Sequence, residues 1–202
     1  MVFFERVITC AVFFVLLTVQ LEAQRDLRLS AKGNLVIIRG TSSLHDWQCR
    51  VEQMSGQMVS ELAEGKLSEI RSLQVSFVVT SIRSIKENGS YYEASMDKNV
   101  YKALNSDKHA TITFNMTRTN SIKPSLSQWL VDAVGVLRIS GTSKEIALTA
   151  RAMYADGGIV FEGKVPLRMT DFKVDPPTAL FGTIKTGNEV SVEFKLAFHP
   201  VK

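Results

Sequence analysis

Asn188-Glu189-Val190-Ser191-Val192-Glu193-Phe194-Lys195-Leu196-Ala197-Phe198-His199 alternates apolar and polar side chains over most of its length. Successive side chains of a strand point to opposite faces, so Val190, Val192, Phe194, Leu196 and Phe198 share one face, with Ser191, Glu193 and Lys195 on the other. The stretch therefore predicts a half-buried β-strand with a continuous apolar face. The same two-residue beat recurs upstream, while a helical period is convincing only once. The expected fold is all-β, a single antiparallel sheet closed on itself. A barrel with aliphatic and phenyl groups inside either fills itself with side chains or holds an apolar ligand.

Working outward, residues 27–30 and 35–38 read as one strand broken at Lys32-Gly33-Asn34. Residues 44–51 form a second, with Trp47, Cys49 and Val51 on one face, and residues 54–59 a third that leads into a polar turn at 61–65. Leu73, Val75, Phe77 and Val79 mark a strong strand. Met96, Val100 and Leu104 recur at four-residue spacing and predict the one helix, with Ser95 or Asp97 able to cap its start. Strands resume at Ile112, Phe114 and Met116, and again after Pro124 with Trp129 to Ile139. Two further strands, through Leu148 and through Phe161, complete an antiparallel meander. Residues 170–187 break the pattern. Pro176-Pro177 cannot donate to a ladder, yet Phe172, Val174, Leu180 and Phe181 are too apolar for a solvated loop. That segment is expected to lie against the barrel, at a cavity mouth or simply packed under it.

The 202 residues, 45% apolar and 22% charged, fit one domain able to bury a core. An almost unbroken apolar run from Val7 to Val19, preceded by Arg6 and followed by Leu21-Glu22-Ala23, predicts a secretory signal peptide at 1–23 and a mature domain at 24–202. Removing it takes away one basic and two acidic residues, so the formal charge rises from +4 to +5. No basic stripe interleaved with aromatics appears, which argues against nucleic acid. Cys10 departs with the signal and leaves Cys49 alone, so no internal disulfide staples the domain.

Catalytic signals are thin. The histidines are His45, His109 and His199, without metal-ligand spacing, and no Gly-x-Ser-x-Gly elbow or phosphate-cradling loop is present. His45 beside Asp46 is the one hydrolase-like pair, but neighbours on a strand face opposite ways. The expectation is a binding protein, not an enzyme and without a metal. The competing reading is a solid barrel whose outer surface binds another protein.

Four stretches carry a family resemblance: Gly40-Thr41-Ser42-Ser43-Leu44-His45-Asp46-Trp47; Met96-Asp97 to Leu104 followed by Ile112-Thr113-Phe114; Leu137-Arg138-Ile139-Ser140-Gly141-Thr142-Ser143-Lys144; and Pro176-Pro177-Thr178-Ala179-Leu180-Phe181-Gly182-Thr183-Ile184-Lys185-Thr186-Gly187. Together they resemble the YceI-like family of secreted bacterial proteins. The resemblance implies a lipocalin-like, extended barrel of about eight strands with one short helix. It also implies a periplasmic or secreted location in a Gram-negative bacterium, and a tunnel holding a long-chain isoprenoid, an isoprenoid quinone or a similar amphiphilic lipid. No other cofactor is implied; transient membrane contact and a monomer or homodimer fit it. Inward Phe77, Val79, Phe114, Leu137, Leu148, Phe161, Val192 and Phe194 are expected to touch the chain, with Phe181, His45 and Trp47 completing the set. A polyprenyl tail of about 40 carbons gains on the order of 20 to 30 kcal/mol on leaving water, at about 0.8 kcal/mol per methylene-sized group. A bilayer offers the same gain, so the role implied is carrying or sequestering the lipid between membranes.

Overall fold

The alternation closes into a ring, and three of its strands are bent. The computed structural model describes residues 23–63, 66–179 and 182–201. The expected signal peptide falls on residues outside that set, apart from Ala23, which opens the first strand. In chain order the elements are β1 (Ala23–Leu29), β2 (Leu35–Ser42), β3 (Trp47–Val51), β4 (Met54–Ala63), β5 (Lys66–Val78), β6 (Ile82–Ile85) and α1 (Ala94–Ala103). They continue with β7 (Thr111–Ser125), β8 (Gln128–Ile139), β9 (Thr142–Ala155), β10 (Gly158–Arg168), β11 (Thr178–Ala179) and β12 (Ile184–Pro200).

β1 pairs β4 while β2 pairs β3, and β4 pairs β5 while β3 pairs β6. Each of β1/β2, β3/β4 and β5/β6 is thus one long strand interrupted at a common level. Counted this way, the ring has eight antiparallel members, running β1/β2, β3/β4, β5/β6, β7, β8, β9, β10, β12 and back to the first. The long β12 closes it by pairing β1 at one end and β2 along the other. Side chains stitch the interruptions. The Ser81 hydroxyl accepts from the Gln53 amide at 2.9 Å and donates to the Val78 carbonyl at 2.8 Å. At the β1/β2 break, the Asn34 amide donates to the Ser30 carbonyl at 2.6 Å, and its oxygen accepts from the Ala197 backbone at 2.9 Å. Losing both bonds in Asn34→Ala is expected to cost about 1 to 3 kcal/mol, at the usual net worth of a hydrogen bond. A urea midpoint equal to that of the native chain would contradict this role for Asn34.

The ladder fails in two places near one end of the ring, and packing fills both. No ladder joins β6 to β7 among the described residues; α1 lies there, turning Met96, Val100 and Leu104 toward the core. β9 and β10 pair only from the Ala155–Gly158 turn as far as Ala150 and Gly163. Beyond that, a 3₁₀ turn over Met169–Phe172 brings buried Phe172 and Val174 against Leu137, and Lys144 pairs with Asp171 at 3.4 Å. The described residues of the 170–187 segment do lie against the barrel, as expected.

Three local expectations need correction. β4 runs to Ala63, past the start of the expected turn at 61–65, because buried Glu61 is neutralised by Arg71 at 2.5 Å. α1 starts after Glu93 with no side-chain cap: Asp97 faces inward, accepting from the Ser84 amide and pairing with Arg83, each at 2.6 Å. Pro124 falls inside β7, not between strands, one residue from its end and opposite Trp129 at the hairpin, where its missing N–H costs little; the next strand does follow it, from Gln128.

Candidate functional site

The two ends of the barrel differ inside. At the end carrying the β4–β5, β7–β8 and β9–β10 turns, Leu27, Met58, Leu62, Leu67, Ala152 and Ile159 are buried and fill the cross-section. Toward α1 the barrel is hollow, with a cavity of about 460 Å³ walled almost entirely by apolar side chains. Such a volume lies within the range of small-molecule sites. Along β12 its wall runs from Val190 to Phe198, about 26 Å of strand at ~3.3 Å per residue, or roughly 20 Å along the axis at a ~40° tilt. Phe198, fully buried and edge-on to Phe161 with ring centres 6.0 Å apart, helps to form the floor.

The structure brings most of the sequence-predicted residues onto this wall: Phe77 from β5, Phe114 from β7, Leu137 from β8, Leu148 from β9, Phe161 from β10, and Val192 and Phe194 from β12. Glycines let the phenyl rings lie flat on neighbouring strands. A Cβ at Gly163 would meet the Phe194 ring at 2.5 Å, and one at Gly135 the Phe114 ring at 2.4 Å. Val79 is not on the wall. The alternation that selected it ends at Val78, and the 3₁₀ turn over Val79–Ser81 seals Val79 in the kink, its amide donating to the Ala110 carbonyl at 2.9 Å. Phe181 lies outside the described residues.

Polar groups gather at the mouth beside α1. Ser42, His45, Ser95, Asn99, Thr178 and Thr186 line it, and so do Glu93 and Arg168, both exposed. Trp47 packs over Gly40 and donates its indole N–H to the Thr41 carbonyl at 3.0 Å. His45 stands edge-on to Tyr92, ring centres 6.2 Å apart, and its Nδ1 donates to the Asp46 backbone carbonyl at 2.7 Å. The imidazole is therefore held by main chain, and the Asp46 carboxylate is not its partner in that bond. The Ser42 hydroxyl donates to the His45 carbonyl at 2.7 Å and fixes the same turn. Among the described residues, no cluster of three His, Cys, Asp or Glu side chains could hold a metal.

Sequence reasoning missed the helical share of the wall. Met96, Val100, Ala103 and Leu104 face the cavity, and Phe172 and Val174 line it in the cluster against which Ala103 and Leu104 pack. The four-residue spacing of α1 was the available signal, since a helix with one apolar face must bury it somewhere. Cys49 also lines the cavity and is fully buried; desolvation, with Asp97 nearby, pushes its thiol from 9.0 up to about 12. At pH 8 the thiolate is then scarcer by about three orders of magnitude. A thiol reagent should leave native Cys49 unmodified and label it on unfolding; prompt native labelling would contradict the burial.

A hollow antiparallel barrel with an apolar interior and a polar mouth defines a lipocalin-like fold. The sequence matches the YceI-like domain over residues 30–198, and the chain belongs to that family. No curated protein matches it. Among solved structures it is similar to Burkholderia cenocepacia BcnA, with TM-score 0.64 and 15% identity over 84% of this chain and 98% of that one. It is also similar to a polyisoprenoid binding domain from Saccharophagus degradans implicated in plant cell wall breakdown, with TM-score 0.62 and 12% identity over 87% and 98%. A third is the Campylobacter jejuni YCEI protein, with TM-score 0.56 and 17% identity over 76% and 84%. At these identities the likeness speaks for the fold.

Proposed function

We propose that this protein is a carrier that holds one long isoprenoid lipid, or a similar amphiphile, with its tail in the barrel and its polar end at the mouth beside His45 and Arg168. The role is transport, sequestration or storage between membranes, without catalysis. The observation that carries the reading is the long cavity itself: apolar along its walls, polar at its mouth and closed at its far end by packed side chains. Leaving that space filled with water would forgo the apolar contacts its walls offer. The polyisoprenoid binding domain from Saccharophagus degradans, similar in fold, adds support for the ligand class. Residues 1–23 read as an export signal, which fits a periplasmic or secreted protein; no described helix is long and apolar enough to cross a membrane.

Because a bilayer competes for the tail on nearly equal terms, the decisive experiment is a partition. Protein is incubated with vesicles containing a polyprenol and then separated from them by flotation. One polyprenol per chain should remain with the protein. Quantitative return of the lipid to the vesicles would overturn the proposal.

A further inference from the structure

A tail held in a dry cavity cannot reach a bilayer through water without exposing its whole length, so a carrier needs a place where apolar surface runs unbroken from wall to outside. The described residues offer one such place. Leu44 lines the cavity and is 65% exposed; Tyr92 lines it and is 45% exposed. The two are held together. His45, next to Leu44, meets the Tyr92 ring edge-on, and the turn carrying Leu44 is pinned to β12 by Ser43, whose amide donates to the Lys185 carbonyl at 2.9 Å. A leucine and a tyrosine with one face on the ligand path and the other in solvent have the character of groups that settle at a membrane surface, the ring at headgroup depth.

Other exposed apolar residues lack this continuity. Tyr91 is covered by Arg83 and Arg50, whose guanidinium carbons lie 4.8 and 5.6 Å from its ring centre, and its hydroxyl donates to Glu52. Leu126, fully exposed at the β7–β8 turn, sits at the filled end, away from the cavity. The ionised side chains that line the mouth are of opposite sign, Arg168 against Glu93, so attraction to an anionic surface is not what the rim provides.

We infer that the rim formed by Leu44 and Tyr92 is a membrane-docking surface through which lipid passes directly between the barrel and a neutral bilayer. This rests on the carrier reading above. Occupancy of the rim by the bilayer is brief, since two side chains anchor weakly.

The test follows a fluorescent polyprenol moving from protein-bound form into zwitterionic phosphatidylcholine vesicles. Native transfer should speed up in proportion to vesicle concentration and change little with salt. A Leu44→Asp/Tyr92→Asp variant, loaded with the polyprenol to a measured occupancy, should transfer at least tenfold more slowly per bound lipid, although weaker binding alone would speed release, and both substitutions fall on exposed side chains that the fold tolerates. Leu126→Asp, at the opposite end, should transfer at the native rate. A native rate independent of vesicle concentration would overturn the inference, as would a double variant at native speed or a slow Leu126→Asp. Failure of the native protein to bind the polyprenol at all would instead sink the carrier reading, and the rim with it.

Discussion

Phe194→Glu is expected to yield a folded barrel that retains less than a tenth of the lipid held by the native chain. The side chain stands on the cavity wall in β12, half-buried, with its ring lying over Gly163 of β10. Substitution there deletes no packed centre of the filled end, so the ring of strands survives. A carboxylate on an apolar wall is another matter. Left charged or forced neutral, it loses water that nothing on the wall replaces, a cost of roughly 2 kcal/mol or more once an oily tail is seated against it. Every 1.4 kcal/mol is about a tenfold change in affinity. Circular dichroism and thermal unfolding report the fold, and extraction with organic solvent reports the lipid. Native-level lipid in a folded Phe194→Glu protein would mean that the tail does not pass this ring.

The second large effect is at Asp97, where one buried carboxylate ties the helix to the sheet. Asp97 is 4% exposed and accepts from the Ser84 amide and the Arg83 guanidinium, both at 2.6 Å. Arg83 in turn covers Tyr91, and the Tyr91 hydroxyl, with Arg50, holds the Glu52 carboxyl below the usual carboxylate range. Among the described residues no strand ladder spans the space that α1 occupies, so these contacts and the apolar face of the helix are what hold the wall in place. In Asp97→Ala the buried Ser84 N–H is left without its acceptor and Arg83 without its partner. Hydrogen bonds to charged groups contribute about 1.5 to 3 kcal/mol each, and Arg83, 39% exposed, recovers part of its share from water. A loss of about 2 to 4 kcal/mol in urea is expected, with faster amide exchange across α1. Asp97→Asn, which keeps an acceptor for Ser84, should lose less. Equal stability of all three proteins would show that the helix is held by its apolar face alone.

Much of the fold was legible in the chain because barrel strands with one wet face write their alternation openly. β12 shows this from Val190 to Phe198, and the break at Lys32-Gly33-Asn34 appears where β1 gives way to β2. The family pattern at Gly40 to Trp47 pointed to the turn that now forms the mouth. What alternation could not reveal were the kinks. Val79 continues the beat of Leu73, Val75 and Phe77, yet the strand bends one residue earlier, and a period of two contains nothing about a bend. Glu61 looked like turn material because a lone acidic residue in an interior is costly; its partner Arg71 stands ten positions away, across a hairpin. Asp97 resembled a helix cap for the same reason that it is a good acceptor, and only the packing of α1 on β6 decided which amide it serves. Alternation pointed to the strand residues that now line the cavity but not to the helical ones, since a helical stripe says that something is covered without saying what.

The most direct test of the central claim is mass spectrometry of organic extracts from the protein purified without detergent from the cells in which it is naturally made. An isoprenoid or comparably long amphiphilic lipid near one molecule per chain is the predicted result. Extracts indistinguishable from those of a detergent-free control protein, from a chain shown to be folded, would mean that the cavity is not a lipid site.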